Sequence, residues 1–283
     1  MNKVIINICF AFLVLVYSAL AFSDREQGLT KENVNEFDSK GWTPLMKEIQ
    51  RPGKDLNKHL ENLKVLFSLG ADPNLRVKGR RTPAPLDLIS YLSLDVVKKL
   101  VEQGAEITDY TYAGHSMLNL ASKNIETARY LLTKGANPNV MTSIKPHGTS
   151  ILLASISQKK IELVYLLLEH GADPNILNKR GNSALSFAVT KRDEGLIKKL
   201  LEHGAKINGF GLLANVSGRN PDIKVAKLLL AKGIDINDKT QRGDTALHFA
   251  ENFNNKVLID FYISNGADVT IKNNLGQTYL EQQ

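Results

Sequence analysis

The chain has a single cysteine, Cys9, and it lies inside an apolar stretch at the N-terminus. Beyond that stretch there is no thiol. Disulfides, thiolate catalysis and cysteine metal sites are therefore excluded, and packing must supply stability unaided. Aromatic residues are sparse, at 7% with one Trp, and no strand-borne aromatic platform for stacking bases is present, so nucleic acid is not an expected partner. The six histidines form no ligand cluster. His59, His115 and His147 are isolated, while His170 and His203 each precede a glycine at a helix end, where a donor or cation suits the terminal carbonyls. Neither a metal nor another cofactor is expected. Acidic excess is also lacking: 36 Lys and Arg against 29 Asp and Glu give +7, and loss of Lys3 with the N-terminal stretch would leave +6. That balance implies solubility and some attraction to anions.

The N-terminal stretch reads as an export signal. Lys3 supplies a positive start, Val4 to Tyr17 is apolar apart from Asn7, and Ser18-Ala19-Leu20-Ala21 places small residues where a signal peptidase needs them. Residues 1–21 are expected to be removed after Ala21. The rival reading is an uncleaved anchor, because the apolar run approaches the roughly 20 residues that span a bilayer. Either way the remaining chain is placed outside the cytoplasm, periplasmic or secreted, and so simple a signal suggests a bacterial source. Asn215-Val216-Ser217 matches the short glycosylation pattern, which is common by chance.

What fills the rest is repetition. Gly-Ala-Asp or a near copy follows a leucine-rich stretch at Gly70, Gly104, Gly135, Gly171, Gly204, Gly233 and Gly266, with spacings of 34, 31, 36, 33, 29 and 33. A period near 33 marks a stacked array. Residues 148–177 show one unit. Ser150 or Thr149 starts a short helix by capping an orphan N–H, and Ile161, Val164, Tyr165, Leu167 and Leu168 recur at helical spacing along a second. Gly171 ends that helix in a positive-φ conformation, and Asp173-Pro174-Asn175 turns the chain away. Such a helix pair cannot bury its apolar stripe alone, so stability resides in the contacts between units.

These residues resemble the ankyrin-repeat family. Its first-half pattern is matched at Asp38-Ser39-Lys40-Gly41-Trp42-Thr43-Pro44-Leu45, at Gly181-Asn182-Ser183-Ala184-Leu185, and best at Gly243-Asp244-Thr245-Ala246-Leu247-His248-Phe249-Ala250. The second half is clean at Leu167-Leu168-Glu169-His170-Gly171-Ala172-Asp173-Pro174-Asn175. The resemblance implies an all-α solenoid of about seven helix-turn-helix units with short β-hairpin connections. It runs over 38–283, with units ending near 77, 110, 141, 177, 208, 237 and 271, after a capping segment at 22–37 and before a partial C-terminal cap. Two departures stand out. Arg51 to Asp55 reads as an extended loop, and the unit at Gly209-Phe210-Gly211-Leu212 lacks the Asp-x-x-Gly-x-Thr turn, so its finger is expected to be stunted.

In that family, partners lie across the finger tips and the adjoining first helices. Carried over position by position, the expected contact residues are Lys40, Trp42, Lys78, Arg80, Arg81, Tyr112, His115, Lys145, His147, Lys179, Arg180, Asn182, Gln241 and Arg242. This edge is mostly cationic and suits a protein with an acidic surface. The blander reading is that tip charges merely keep the array soluble, and that Trp42 seals the first repeat against Phe22 to Phe37. A membrane is an expected partner only if the signal is retained, and a monomer is favoured. His248 takes the family's structural histidine position, expected to bond between neighbouring units. Enzyme motifs fail on context: Gly209-Phe210-Gly211-Leu212-Leu213-Ala214 has no preceding strand to make it a dinucleotide site, and Gly114-His115-Ser116 has Leu118 where a nucleophile elbow needs glycine. The expected function is an exported, non-enzymatic protein-binding module that masks or scaffolds its partner, as an envelope immunity factor would. The alternatives are an effector directed at a host protein and, remotely, an enzyme built on an irregular repeat.

Overall fold

The computed structural model describes residues 28–50, 55–76, 83–143, 149–207, 211–218 and 221–281. It divides into two compact units, Met1–Gly148 and Thr149–Gln283. Residues 1–21 and the Ala21 boundary lie outside the described residues, as does the loop 51–54.

The first unit holds three helix pairs among its described residues. These are α1 (Pro44–Gln50) with α2 (Leu56–Ser68), a 3-10 helix (Pro85–Tyr91) with α3 (Leu94–Glu102), and α4 (Met117–Ala121) with α5 (Ile125–Thr133). The second holds four: α6 (Ile151–Ser157) with α7 (Ile161–Glu169), α8 (Ala184–Lys191) with α9 (Glu194–Glu202), α10 (Leu212–Ser217) with α11 (Ile223–Ala231), and α12 (Ala246–Asn252) with α13 (Lys256–Ser264), followed by a short 3-10 turn at Tyr279–Glu281. Within each unit, every first helix packs on its own partner and on the next first helix, so α6, α8, α10 and α12 form one continuous row. This is the all-α repeat solenoid arrangement.

Local chemistry sets each boundary. Ser116, Ser150 and Ser183 accept the backbone N–H three residues on at the start of first helices, and Ser93, Asp193 and Asp222 do the same for second helices. Each second helix then closes on a glycine at positive φ, as at Gly171 with φ 83. The Gly171 N–H bonds Leu168 O at 3.0 Å and the Ala172 N–H bonds Leu167 O at 2.9 Å, satisfying two terminal carbonyls. The second bond draws Ala172 inward, where it is buried. The same pair forms at Ala71, Ala105 and Ala205, and this is why alanine follows the glycine in each.

Burial follows position in the stack. On α7, Leu163, Val164, Leu166, Leu167 and Leu168 are all buried, whereas on α13, at the end of the row, only Leu258 and Tyr262 are. Each fully buried leucine contributes about 1.5–3 kcal/mol. That gain exists only where a neighbouring repeat covers the side chain.

One pair departs from the expected two α-helices. In the second repeat the first helix is a 3-10 helix, beginning with Pro85 and closing through i to i+3 bonds such as Asp87 N to Ala84 O at 3.0 Å. The Asp87 carboxylate accepts the Ala84 N–H at 2.7 Å and pairs with Arg76 at 2.8 Å. Only Leu92 and Ser93 link this helix to α3, and the rise of about 2.0 Å per residue in a 3-10 helix covers more length than an α-helix would.

Candidate partner-binding surface

The fingers are built by one recurring turn. Asp38 Oδ1 accepts the N–H groups of Lys40 and Trp42, each at 2.9 Å, while its own N–H bonds Trp42 O at 3.1 Å. Asn178 repeats the pattern with Arg180 at 2.9 Å and Asn182 at 3.0 Å, Thr240 with Arg242 at 3.3 Å and Asp244 at 3.2 Å, and Asn273 with Leu275 at 2.9 Å and Gln277 at 3.1 Å. A short oxygen-bearing side chain thus holds two backbone donors. The fourth residue is glycine at positive φ, as at Gly181 and Gly243. Among the described residues these fingers form no continuous strand. They are tight turns, with isolated bridges at Tyr110 to Ser116 and His115 to Ser143.

The turn sorts its side chains. The two residues after the anchoring oxygen project outward, so Lys40, Tyr112, Lys179, Arg180, Gln241 and Arg242 are exposed. The last position faces the first helix: Trp42 and Asn182 are half-buried there, while His115 remains exposed. Trp42 is therefore partly committed to its own repeat. Lys78, Arg80, Arg81, Lys145 and His147 lie outside the described residues. The described contact residues fall in separate units, Lys40, Trp42, Tyr112 and His115 in one and Lys179, Arg180, Asn182, Gln241 and Arg242 in the other.

At several junctions an asparagine side chain fastens one repeat to the next. Asn74 Nδ2 donates to Gly104 O at 2.7 Å and its Oδ1 accepts from Glu106 N at 2.8 Å. Asn175 makes the same pair with Gly204 O at 3.0 Å and Lys206 N at 2.8 Å, and Asn35, within the expected capping segment, with Gly70 O at 2.9 Å and Asp72 N at 2.8 Å. His248 adds another link. Its Nδ1 accepts the Thr245 N–H at 3.2 Å, which leaves Nε2–H to donate to Gln277 O at 3.1 Å in the following partial unit.

Between the fifth and seventh fingers the second unit opens into a groove of about 840 Å³. Chain length differs across it. Residues 170–183 and 232–245 each give fourteen positions between a second helix and the next first helix, whereas 203–211 give nine, five fewer. Residues 208–210 of the expected stunted turn lie outside the described residues, but its exit is visible. Gly211 adopts φ 72 and starts α10 without a side-chain cap. Asp238 supplies one from the next turn, its Oδ2 accepting the Leu212 N–H at 3.0 Å. Burial raises the Asp238 carboxyl above its ordinary range, against the pull of the Leu212 and Gly211 N–H groups.

Arg180, Gly181 and Asn182 form one wall of the groove, and Thr240, Gln241 and Arg242 the other. Leu212 and Asn215 from α10, with Phe249, Asn252 and Phe253 from α12 and its end, line the remainder. Phe253 is 44% exposed and Leu177, at the mouth, 56%. Sequence reading found the two arginines and missed the aromatic floor, whose signal was apolar residues on the exposed side of a first helix.

Other candidate motifs have structural duties. Ser116 is buried and caps α4, and Ser217 is buried, its hydroxyl 2.6 Å from that of Tyr262. In the first repeat, buried Glu48 accepts from Asn62 Nδ2 at 3.0 Å and lies 3.1 Å from His59 Nδ1, within ion-pair reach but out of line for a hydrogen bond. Among the described residues no group of three His, Cys, Asp or Glu side chains is placed to hold a metal ion, and no helix is long and apolar enough to cross a membrane.

A family model described as ankyrin repeats (3 copies) matches residues 140–210, and one described as ankyrin repeat matches residues 242–274. A curated relative, the putative ankyrin repeat protein FPV023 of fowlpox virus, is 30% identical over 171 residues, covering 56% of this chain and 38% of that protein. The chain spans 38% or less of the viral relatives it matches. Among solved structures, the ankyrin repeat domain of Bcl-3, a member of the IkappaB protein family, is 25% identical with a TM-score of 0.58 over 70% of this chain and 92% of that one. The Bd0816 predatory endopeptidase of Bdellovibrio bacteriovorus in complex with immunity protein Bd3460 is also similar, at 28% identity over 58% of this chain and 88% of that one. Its TM-score of 0.49 is too low to carry an argument. Together the family models over residues 140–210 and 242–274, the viral relatives and the Bcl-3 fold support ankyrin repeats within this all-α repeat solenoid.

Proposed function

We propose that the chain is an exported protein-binding module that engages an acidic surface through its finger tips and adjoining first helices, and acts by masking or scaffolding that partner. The carrying observation is the turn geometry. Local hydrogen bonds fix each tip, so Lys40, Arg180 and Arg242 are presented from the same turn register, and little ordering entropy is lost on association. Ankyrin repeats are protein-interaction scaffolds, and the fold is typically non-catalytic. In its most concrete form the module is an envelope immunity factor that shields another exported protein.

The test is a pull-down from the exported fraction with wild type and with Lys40, Lys179, Arg180 and Arg242 reversed to glutamate. The expected result is a stoichiometric, function-blocking complex with wild type and loss of the complex with the reversed form. Recovery of no partner, or equal recovery by both, overturns the reading. Export is tested separately by N-terminal sequencing of the mature protein, where Phe22 is the expected first residue and retained Met1 would establish an uncleaved anchor. A second reading, an effector directed at a host protein, is favoured by the viral origin of the matched relatives. It predicts that the complex forms with host extract and not with the producer's own exported proteins.

A further inference from the structure

We propose that the groove beside the shortened sixth-repeat connection receives an extended segment of the partner that carries a carboxylate within a few residues of an apolar side chain. The inference rests on the protein-binding reading and names the partner chemistry at one place in it. Three observations select this occupant.

The first is shape. The cleft between the fifth and seventh fingers is about 840 Å³ in volume, room for a few residues of chain, and lies where the sixth-repeat connection is five residues shorter than its neighbours. The second is charge. Arg180 and Arg242 stand on opposite walls at the same turn position, and neither guanidinium meets an acid among the described residues. Asp244, the acidic residue on the wall, already accepts from Asn273 Nδ2 at 2.9 Å. An acidic segment lying between the walls therefore passes a cation of planar, forked geometry on either side. The third is the floor. Phe253, the half-buried Phe249 and Leu177 at the mouth offer apolar surface that tip charges alone would not need, and the Asn215 and Asn252 amides beside them can serve an extended backbone. A phosphate-rich polymer would leave that apolar floor uncovered.

The experiment uses the mature chain and its lack of thiols. Random linear peptides displayed on phage are selected on the folded protein, and the enriched peptides are synthesised and titrated. Enrichment of an acidic residue beside an aromatic or aliphatic one is expected. Arg242→Glu should weaken binding about tenfold or more, as removal of a desolvated charge contact does, and Asn215→Trp, which fills the floor from an exposed helix position, should abolish it. Lys64→Glu, at an exposed position of α2 in the other unit, should leave it unchanged. Because both groove variants alter exposed side chains, circular dichroism should match wild type. As a second readout, the single thiol introduced by Asn215→Cys should be protected from alkylation by a bound peptide. Peptides of the expected composition that ignore Arg242→Glu and Asn215→Trp, peptides of unrelated composition, or no enrichment at all each overturn the groove assignment. The wider protein-binding reading would still stand or fall on its own pull-down.

Discussion

Asn175→Ala removes two bonds that fasten the repeat of α6 and α7 to the repeat of α8 and α9, the donation to Gly204 O at 3.0 Å and the acceptance from Lys206 N at 2.8 Å. A net 0.5–1.5 kcal/mol for each gives a loss of about 1–3 kcal/mol. Asn237 holds the equivalent place one interface from the end and shows one such bond, from Asp268 N at 2.9 Å. Asn237→Ala should therefore lose about half as much. Urea unfolding of the three proteins gives the global ranking, and amide exchange gives a local one. The Lys206 amide should lose protection in Asn175→Ala while the Asp268 amide keeps it, and the reverse should hold in Asn237→Ala. Equal destabilisation by the two variants, or retained protection at Lys206, would refute the idea that these side chains join neighbouring repeats.

Further outcomes follow from single contacts. Tyr262→Phe deletes the hydroxyl 2.6 Å from Ser217 Oγ, which still bonds Leu213 O; a loss of about 0.5–1.5 kcal/mol is expected by urea unfolding, and a neutral effect would show that the buried pair is idle. In Gly243→Ala the new Cβ would lie 2.8 Å from the Asn274 backbone nitrogen, whereas at Gly276 it meets open space, both at positive φ. The first variant should therefore lower the thermal midpoint clearly more than Gly276→Ala, and equal shifts would contradict the close approach. The Asp238 carboxyl titrates above its ordinary 3.8 in the folded chain. Between 3.8 and the folded value the native state holds a proton that the unfolded state has released, so this residue's contribution falls as pH rises through that window. Asp238→Asn keeps an acceptor for the Leu212 N–H and should flatten that part of the stability profile; an unchanged slope would exclude Asp238 as its source.

Much of this molecule is legible one repeat at a time, because its signals are local. Gly171 and its counterparts announce helix ends through a conformation that only a few neighbouring atoms dictate, and Asp38, Asn178 and Thr240 announce tips through bonds that reach four residues. Seven helix pairs follow from such signals. What escaped sequence reading depends on partners distant in sequence. Asp87 takes the same helix position as His248, yet its role became visible only with Arg76 beside it, and with it the 3-10 form of that helix. Asp238 caps a helix that starts 26 residues earlier. The missing turn motif near Gly209 was plain, but the groove was not, since it requires Phe249 and Phe253 to share a space with the finger of the fifth repeat and with α10 of the sixth.

The tip bonds have a consequence for how such a chain can change. At the Asn178 and Thr240 fingers the anchoring oxygen, the glycine and the last residue hold the turn, and Arg180 and Arg242 enter its hydrogen bonds through their backbone N–H groups. These two arginines can therefore be exchanged for other residues with little effect on folding. A lineage could re-address the protein to new targets by rewriting one letter per finger, leaving the scaffold's own instructions untouched.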